Sequence, residues 1–245
     1  MPIRNTKSVI PNIFTTLNIF FGFLAIVNFI ENKFITGCWL ISLAAVFDTL
    51  DGQLARLTKT SSKFGIEFDS LADVVSFGVA PSVLLYQTFL RNHGILGIIV
   101  SFMPLLFGGL RLARFNVLFG GREKTKFIGL PIPFSALHTA SFIIFNYHFW
   151  NGIYMSRILI PQTFFISILM VSTVEYYTLP KFSLKHSAKN TLGVIIILLM
   201  VLVLARFPQA AFYPISSVYI LWGVVRFIYR LTRGNDSDAP AEIIA

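Results

Sequence analysis

Eight apolar runs, at about residues 12–30, 34–55, 71–90, 94–113, 132–150, 157–179, 190–206 and 211–230, take up most of this 245-residue chain. Each is near the roughly 20 residues that an α-helix needs to cross a bilayer core. Composition agrees, with 55% hydrophobic residues, only 13% charged and a mean hydropathy of +0.73, far more apolar than a soluble domain of this length. The expected fold is all-α: a polytopic membrane protein with about eight transmembrane helices. Eight spans leave no room for a separate soluble domain, so residues 1–233 read as one integral membrane unit. The polar end GNDSDAPAEIIA, residues 234–245, reads as a disordered tail. The first run is too long for a cleaved signal peptide and lacks an Ala-x-Ala-type end, so it is expected to be a retained helix.

Basic residues favour the cytoplasmic side of a membrane, and here they divide in one register. With the N-terminus inside, sixteen of the 20 lysines and arginines fall at cytoplasmic ends, leaving Lys33, Arg91, Arg157 and Arg206 on the other side. The net charge of +9 is accounted for by this asymmetry and by attraction to anionic lipid headgroups; no nucleic-acid partner is expected. The single cysteine, Cys38, lies in an apolar run, which excludes an intramolecular disulfide and a thiolate metal cluster.

Five of the eleven carboxylates stand between residues 48 and 73, in FDTLDGQLAR and GIEFDSLAD. Helical spacing of three, four and seven puts Asp48, Asp51, Gly52 and Ala55 on one face, with Arg56 one step round. Gly65, Asp69, Asp73 and Ser76 repeat the pattern on the next helix, while Glu67 falls off that face. Two helices joined by the turn around Thr58 to Phe64 then aim four carboxylates at one place. Such a cluster is self-repelling at low dielectric unless cations neutralise it. All-oxygen donors suit Mg²⁺, Mn²⁺ or Ca²⁺ rather than zinc, and Mg²⁺ commonly shares its coordination with substrate phosphates. Salt bridges to Arg56, Lys59 and Lys63 would explain one or two of the acids, but not the small side chains beside them.

The pattern Asp48-x-x-Asp51-Gly52-x-x-Ala55-Arg56, then eight residues, then Gly65-x-x-x-Asp69-x-x-x-Asp73 resembles the full signature of the CDP-alcohol phosphatidyltransferases. The resemblance implies a homodimeric integral membrane enzyme with a six-helix core, here residues 1–180, and two extra helices over 190–230. It implies that Asp48, Asp51, Asp69 and Asp73 hold one or two divalent ions, and that Asp73 also acts as base toward an incoming hydroxyl. Gly52, Ala55 and Gly65 would allow close approach of the CMP moiety of CDP-diacylglycerol, Arg56 would contact the diphosphate, and Ser62 would reach the nucleotide.

Three further stretches resemble the bacterial and archaeal branch of the family that uses serine. In PNIFTTLN, Asn12, Thr15 and Asn18 line one stripe; Asn12 and Thr15 are candidate nucleotide contacts, whereas Asn18 reads better as part of an ordinary polar helix start. In RLARFN, Arg111 and Arg114 lie one turn apart and can address one anion together, such as an acceptor carboxylate; the positive-inside rule competes with that reading. In FIGLPIP, residues 127–133, the glycine and prolines forbid a regular helix, leaving either a wall of the acceptor pocket or a plain turn. His138 and Glu175 are polar residues within spans, and an interhelical hydrogen bond suits each better than catalysis.

The implied activity is transfer of a phosphatidyl group from CDP-diacylglycerol to L-serine, giving phosphatidylserine and CMP at the cytoplasmic face of the cell membrane. The alternatives keep the chemistry with glycerol 3-phosphate, an inositol phosphate or choline as acceptor, or make the chain a divalent-cation transporter. Against transport, all four acids sit in one hairpin near one surface, with no second copy in an inverted repeat.

Overall fold

The computed structural model describes residues 6–58, 62–119, 126–177, 199–200 and 202–232. Helices α1 (Thr6–Ile30) and α2 (Phe34–Thr58) form a closely packed hairpin, turned at Asn32 in the left-handed region with φ 60°. Helix α3 (Lys63–Asp73) runs through a π-helical segment (Val74–Val79) into α4 (Ala80–Thr88), so one rod extends from Lys63 to Thr88. A 3₁₀ turn (Leu90–His93) leads into α5 (Gly94–Phe119). Strand β1 (Lys126–Ile128), α6 (Ile132–Trp150), α7 (Ser156–Val171), strand β2 (Glu175–Tyr177) and α8 (Pro208–Thr232) complete the described elements.

The surface shows what solvent this packing answers to. Phe23 on α1, Ile95 and Leu96 on α5 and Trp222 on α8 are all more than half exposed, while Asn18, Ser76, His138, Ser141 and Asn146 are buried. Water would select the reverse; in lipid, exposed apolar side chains cost nothing, and interior polar groups bond across helices. Among the described residues, five helices are long and apolar enough to cross a membrane: Pro11–Ile30, Phe34–Ala55, Lys63–Thr88, Leu90–Val117 and Pro208–Thr232. The chain is therefore an all-α polytopic membrane protein. Helix α6 is different, being buried on almost every side against α2, the π segment and α8. It is the centre of the bundle, with its polar residues turned into the core.

Two spans differ from the sequence expectation. The third begins at Lys63 rather than 71, because Glu67, Asp69 and Asp73 depress the hydropathy of its first turns although the backbone is already helical. The sixth, expected over 157–179, ends at Val171: Ser172 is extended (φ −68°, ψ 167°), and Glu175–Tyr177 pairs antiparallel with Lys126–Ile128, matching Phe127 to Tyr176. The strongly apolar end of α7, FFISILMV, carried the expected limit past the break, although β2 itself is Glu-Tyr-Tyr. Of the expected span over 190–206, residues 190–198 and 201 lie outside the described residues, as does the tail 234–245; residues 199–200 and 202–206 are helical.

Helix α8 is fastened to this bundle at three levels. His138 Nδ1 and Ser216 Oγ hydrogen-bond at 2.7 Å, the buried Tyr176 ring lies against Gly223, and Arg230 Nη1 donates to Glu175 Oε2 at 2.6 Å. His138 thus holds α6 to α8, and Glu175, which lies in β2 rather than within a span, holds the β ribbon to it.

Candidate active site

Ser62 sets the start of the third rod. Its extended backbone and its Oγ, which accepts from Gly65 N at 3.0 Å, cap α3 and satisfy an otherwise orphaned amide. From that origin Asp69 and Asp73 fall on successive turns facing α1 and α2. Asp48, Asp51 and Asp69 offer carboxylate oxygens that all lie within 4.8 Å of one another. Asp73 stands beside this trio, in side-chain contact with Asp48 and only 8% exposed. The α-to-π transition follows Asp73 at once, with Ala80 N bonding Val75 O five residues back, a distortion common at functional sites.

The charges in this cluster are not balanced by hydrogen bonds. Asp51 Oδ2 and Asp69 Oδ1 are buried with no hydrogen-bond partner, and several carboxylates share one low-dielectric space. Among the described residues the cation drawn into it is Arg111, buried, within electrostatic range of Asp73 and with Nε unpartnered. Orphaned oxygens in an all-carboxylate set fit a hard divalent cation.

Around the trio the small residues leave room. A Cβ on Gly52 would meet nothing within 4 Å, whereas one on Gly65 would come 3.2 Å from Ser62 Oγ and 3.6 Å from Asn12 Oδ1. Gly52 therefore borders open space, and Gly65 lets Asn12 and α3 approach. Thr15 is buried with its side chain toward Asp51, its Oγ1 also donating to Pro11 O at 3.2 Å. Ala55 is half-buried and Glu67 exposed. Arg56 belongs to α2, but its side chain lies outside the described residues.

The two arginines of RLARFN part company. Arg111 is buried within electrostatic range of Asp73, whereas Arg114 Nη1 donates to the Val171 carbonyl at 2.9 Å, serving the C-terminal end of α7. Asn116 bonds Ser70 Oγ at 3.0 Å and ties α5 to α3. FIGLPIP forms β1 and a tight turn: Gly129 has φ 75° and its N–H bonds Val174 O at 2.8 Å, while Leu130 N bonds Leu169 O at 3.0 Å. A Cβ at Gly129 would overlap the Met170 carbonyl, so glycine is required there twice over.

Asn18 is a site residue that sequence spacing undervalued. It is fully buried on α1, its Nδ2 reaches Asp73 Oδ1 at 3.4 Å, and its carbonyl accepts from Ser76 Oγ at 2.9 Å. The signal available was an amide residue on the Asn12 and Thr15 stripe, well inside an apolar run.

Helices that cross a membrane and bring paired aspartates from two of them to one recess define a membrane-embedded protein whose site is built around carboxylate chemistry. Residues 8–174 match the CDP-alcohol phosphatidyltransferase family model. The CDP-diacylglycerol–serine O-phosphatidyltransferase of Helicobacter pylori is 37% identical over 235 residues, covering 95% of this chain and 96% of that protein. The protein of the same name from Methanocaldococcus jannaschii is 38% identical over 216 residues, 87% of this chain and 92% of the relative. Archaetidylserine synthase of Methanothermobacter thermautotrophicus is 39% identical over 169 residues, 68% and 69% of the two chains. The chain belongs to the CDP-alcohol phosphatidyltransferase family and is an enzyme of that type.

Proposed function

We propose that the enzyme transfers the phosphatidyl group of CDP-diacylglycerol to the hydroxyl of L-serine, releasing CMP. The observation that carries this reading is the buried Arg111 within electrostatic range of Asp73: a base and an anion-binding group in one site, as an amino-acid alcohol requires. The names carried by the Helicobacter and Methanocaldococcus relatives favour the same acceptor.

The diacyl chains stay in lipid while the CDP head enters the recess beside Gly52, Ala55 and Gly65, with Asn12, Thr15, Ser62 and Arg56 as its contacts. Asp48, Asp51 and Asp69, with Asp73, would hold Mg²⁺ or Mn²⁺, which when bound neutralises the diphosphate and the charge on departing CMP. Asp73 takes the proton of the serine hydroxyl. The hydroxyl oxygen then forms its bond to the lipid-side phosphorus as the bond to the bridging oxygen breaks, leaving that electron pair on CMP. Arg111 binds the serine carboxylate and so fixes which alcohol is presented. The basic-residue asymmetry supports a cytoplasmic N-terminus and site, in the cell membrane, and a homodimer belongs to the same reading.

Purified protein supplied with CDP-diacylglycerol and Mn²⁺ should release CMP with serine and not with glycerol 3-phosphate, an inositol phosphate or choline. Release with one of those alcohols instead would refute the choice of acceptor.

A further inference from the structure

We infer that Asn18 is a positioning residue for Asp73, an inference that rests on the reading of Asp73 as the base. Asp48, Asp51 and Asp69 converge on one another, and Asp73 adjoins that trio through its contact with Asp48. Its Oδ1 faces the Asn18 carboxamide nitrogen at 3.4 Å, from a helix that contributes no acid to the cluster. An amide donor suits this task. It orients the carboxylate through one oxygen without adding charge to a site that must also admit a diphosphate.

Asn18 is itself held firmly. Its carbonyl accepts from Ser76 Oγ at 2.9 Å, and Ser76 lies in the π segment just after Asp73. The close approach depends on Gly22, one turn along α1, where any Cβ would overlap Ser76 Oγ, Cβ and Cα. Asn18 and Gly22 on one side, with Asp73 and Ser76 on the other, form a single docking between α1 and the third rod. Asn18 is fully buried, so its rotamer is set by packing rather than by solvent.

Asn18→Leu keeps the volume and removes the donor. The expected result is a kcat at least tenfold lower, with the KM for CDP-diacylglycerol, the Mn²⁺ activation constant and the detergent-phase Tm close to wild type; that signature marks an interaction needed in the transition state. Asn18→His, which restores an N–H of similar reach, should recover part of kcat. If Asn18→Leu does not fold, Ser76→Ala tests the same docking and should lower kcat two- to fivefold with the same unchanged KM. Wild-type kcat in the folded variant, or a loss carried by KM or Tm instead, overturns the inference. Asp73→Asn run in parallel separates the two levels. If it is inactive while Asn18→Leu is fully active, the positioning role fails and the base stands; if it is fully active, the base fails and the positioning role with it.

Discussion

Arg114 donates from Nη1 to the Val171 carbonyl at 2.9 Å, while Arg111, one helical turn earlier on α5, is buried with Nε unpartnered. Two basic residues that look equivalent in sequence therefore carry different loads. Replacing Arg111 with Gln removes a charged donor of the kind worth about 1.5–3 kcal/mol, and the KM for serine should rise about tenfold or more with the KM for CDP-diacylglycerol little changed. Arg114→Ala should lower Tm instead, since the end of α7 loses its donor. Steady-state kinetics and thermal scanning of both variants decide it, and interchange of the two effects would contradict this assignment.

The orphaned oxygens of Asp51 and Asp69 predict that divalent cation binds and stabilises the folded protein. Mn²⁺ at a hundred times its dissociation constant should contribute about 2.7 kcal/mol, read as a rise in Tm that EDTA reverses. Asp69→Asn should lose most of that rise together with CMP release. An unchanged Mn²⁺ shift in this variant would remove Asp69 from the ligand set.

At Gly22 the third rod comes so near that an added methyl would overlap the Ser76 backbone as well as its side chain. Gly22→Ala should therefore cost about 1–3 kcal/mol. Trimming the partner with Ser76→Gly should not restore stability, because the Cα itself stands in the way. Full recovery of Tm in the double variant would show that only the side chain resists.

Where β2 meets α8, packing and charge make unequal contributions. The Arg230 and Glu175 side chains remain 39% and 26% exposed, and such pairs contribute at most about 1 kcal/mol, so Arg230→Ala should barely shift Tm. Gly223→Leu must displace the fully buried Tyr176 ring and should lower Tm markedly. Equal shifts in the two variants would argue against this division.

Much of this molecule could be read without coordinates. The first two spans fall where hydropathy puts them, and between Asp51 and Asp69 α2 ends at Thr58 and α3 begins at Lys63, with residues 59–61 of the expected turn outside the described residues. Because helical spacing is local, Asp48 and Asp51 share one face of α2, and Asp69 joins them once α2 and α3 both pack on α1. Hydropathy failed where its average mixed unlike things: polar first turns hid the start of α3, and the apolar end of α7 carried the short strand Glu175–Tyr177 with it into the expected helix.

The sequence by itself determined a helical membrane protein, the two helices that carry its acids and the family chemistry those acids imply. Only the tertiary structure decided that α6 is the buried centre, that Asn18 donates to Asp73 across the α1 interface, and that Arg114 serves a backbone carbonyl while Arg111 is buried within electrostatic range of Asp73. The physical reason is range. Span and face follow from residues a few positions apart, whereas the partner of a buried polar group depends on which helices cross and how closely glycines such as Gly22 let them approach.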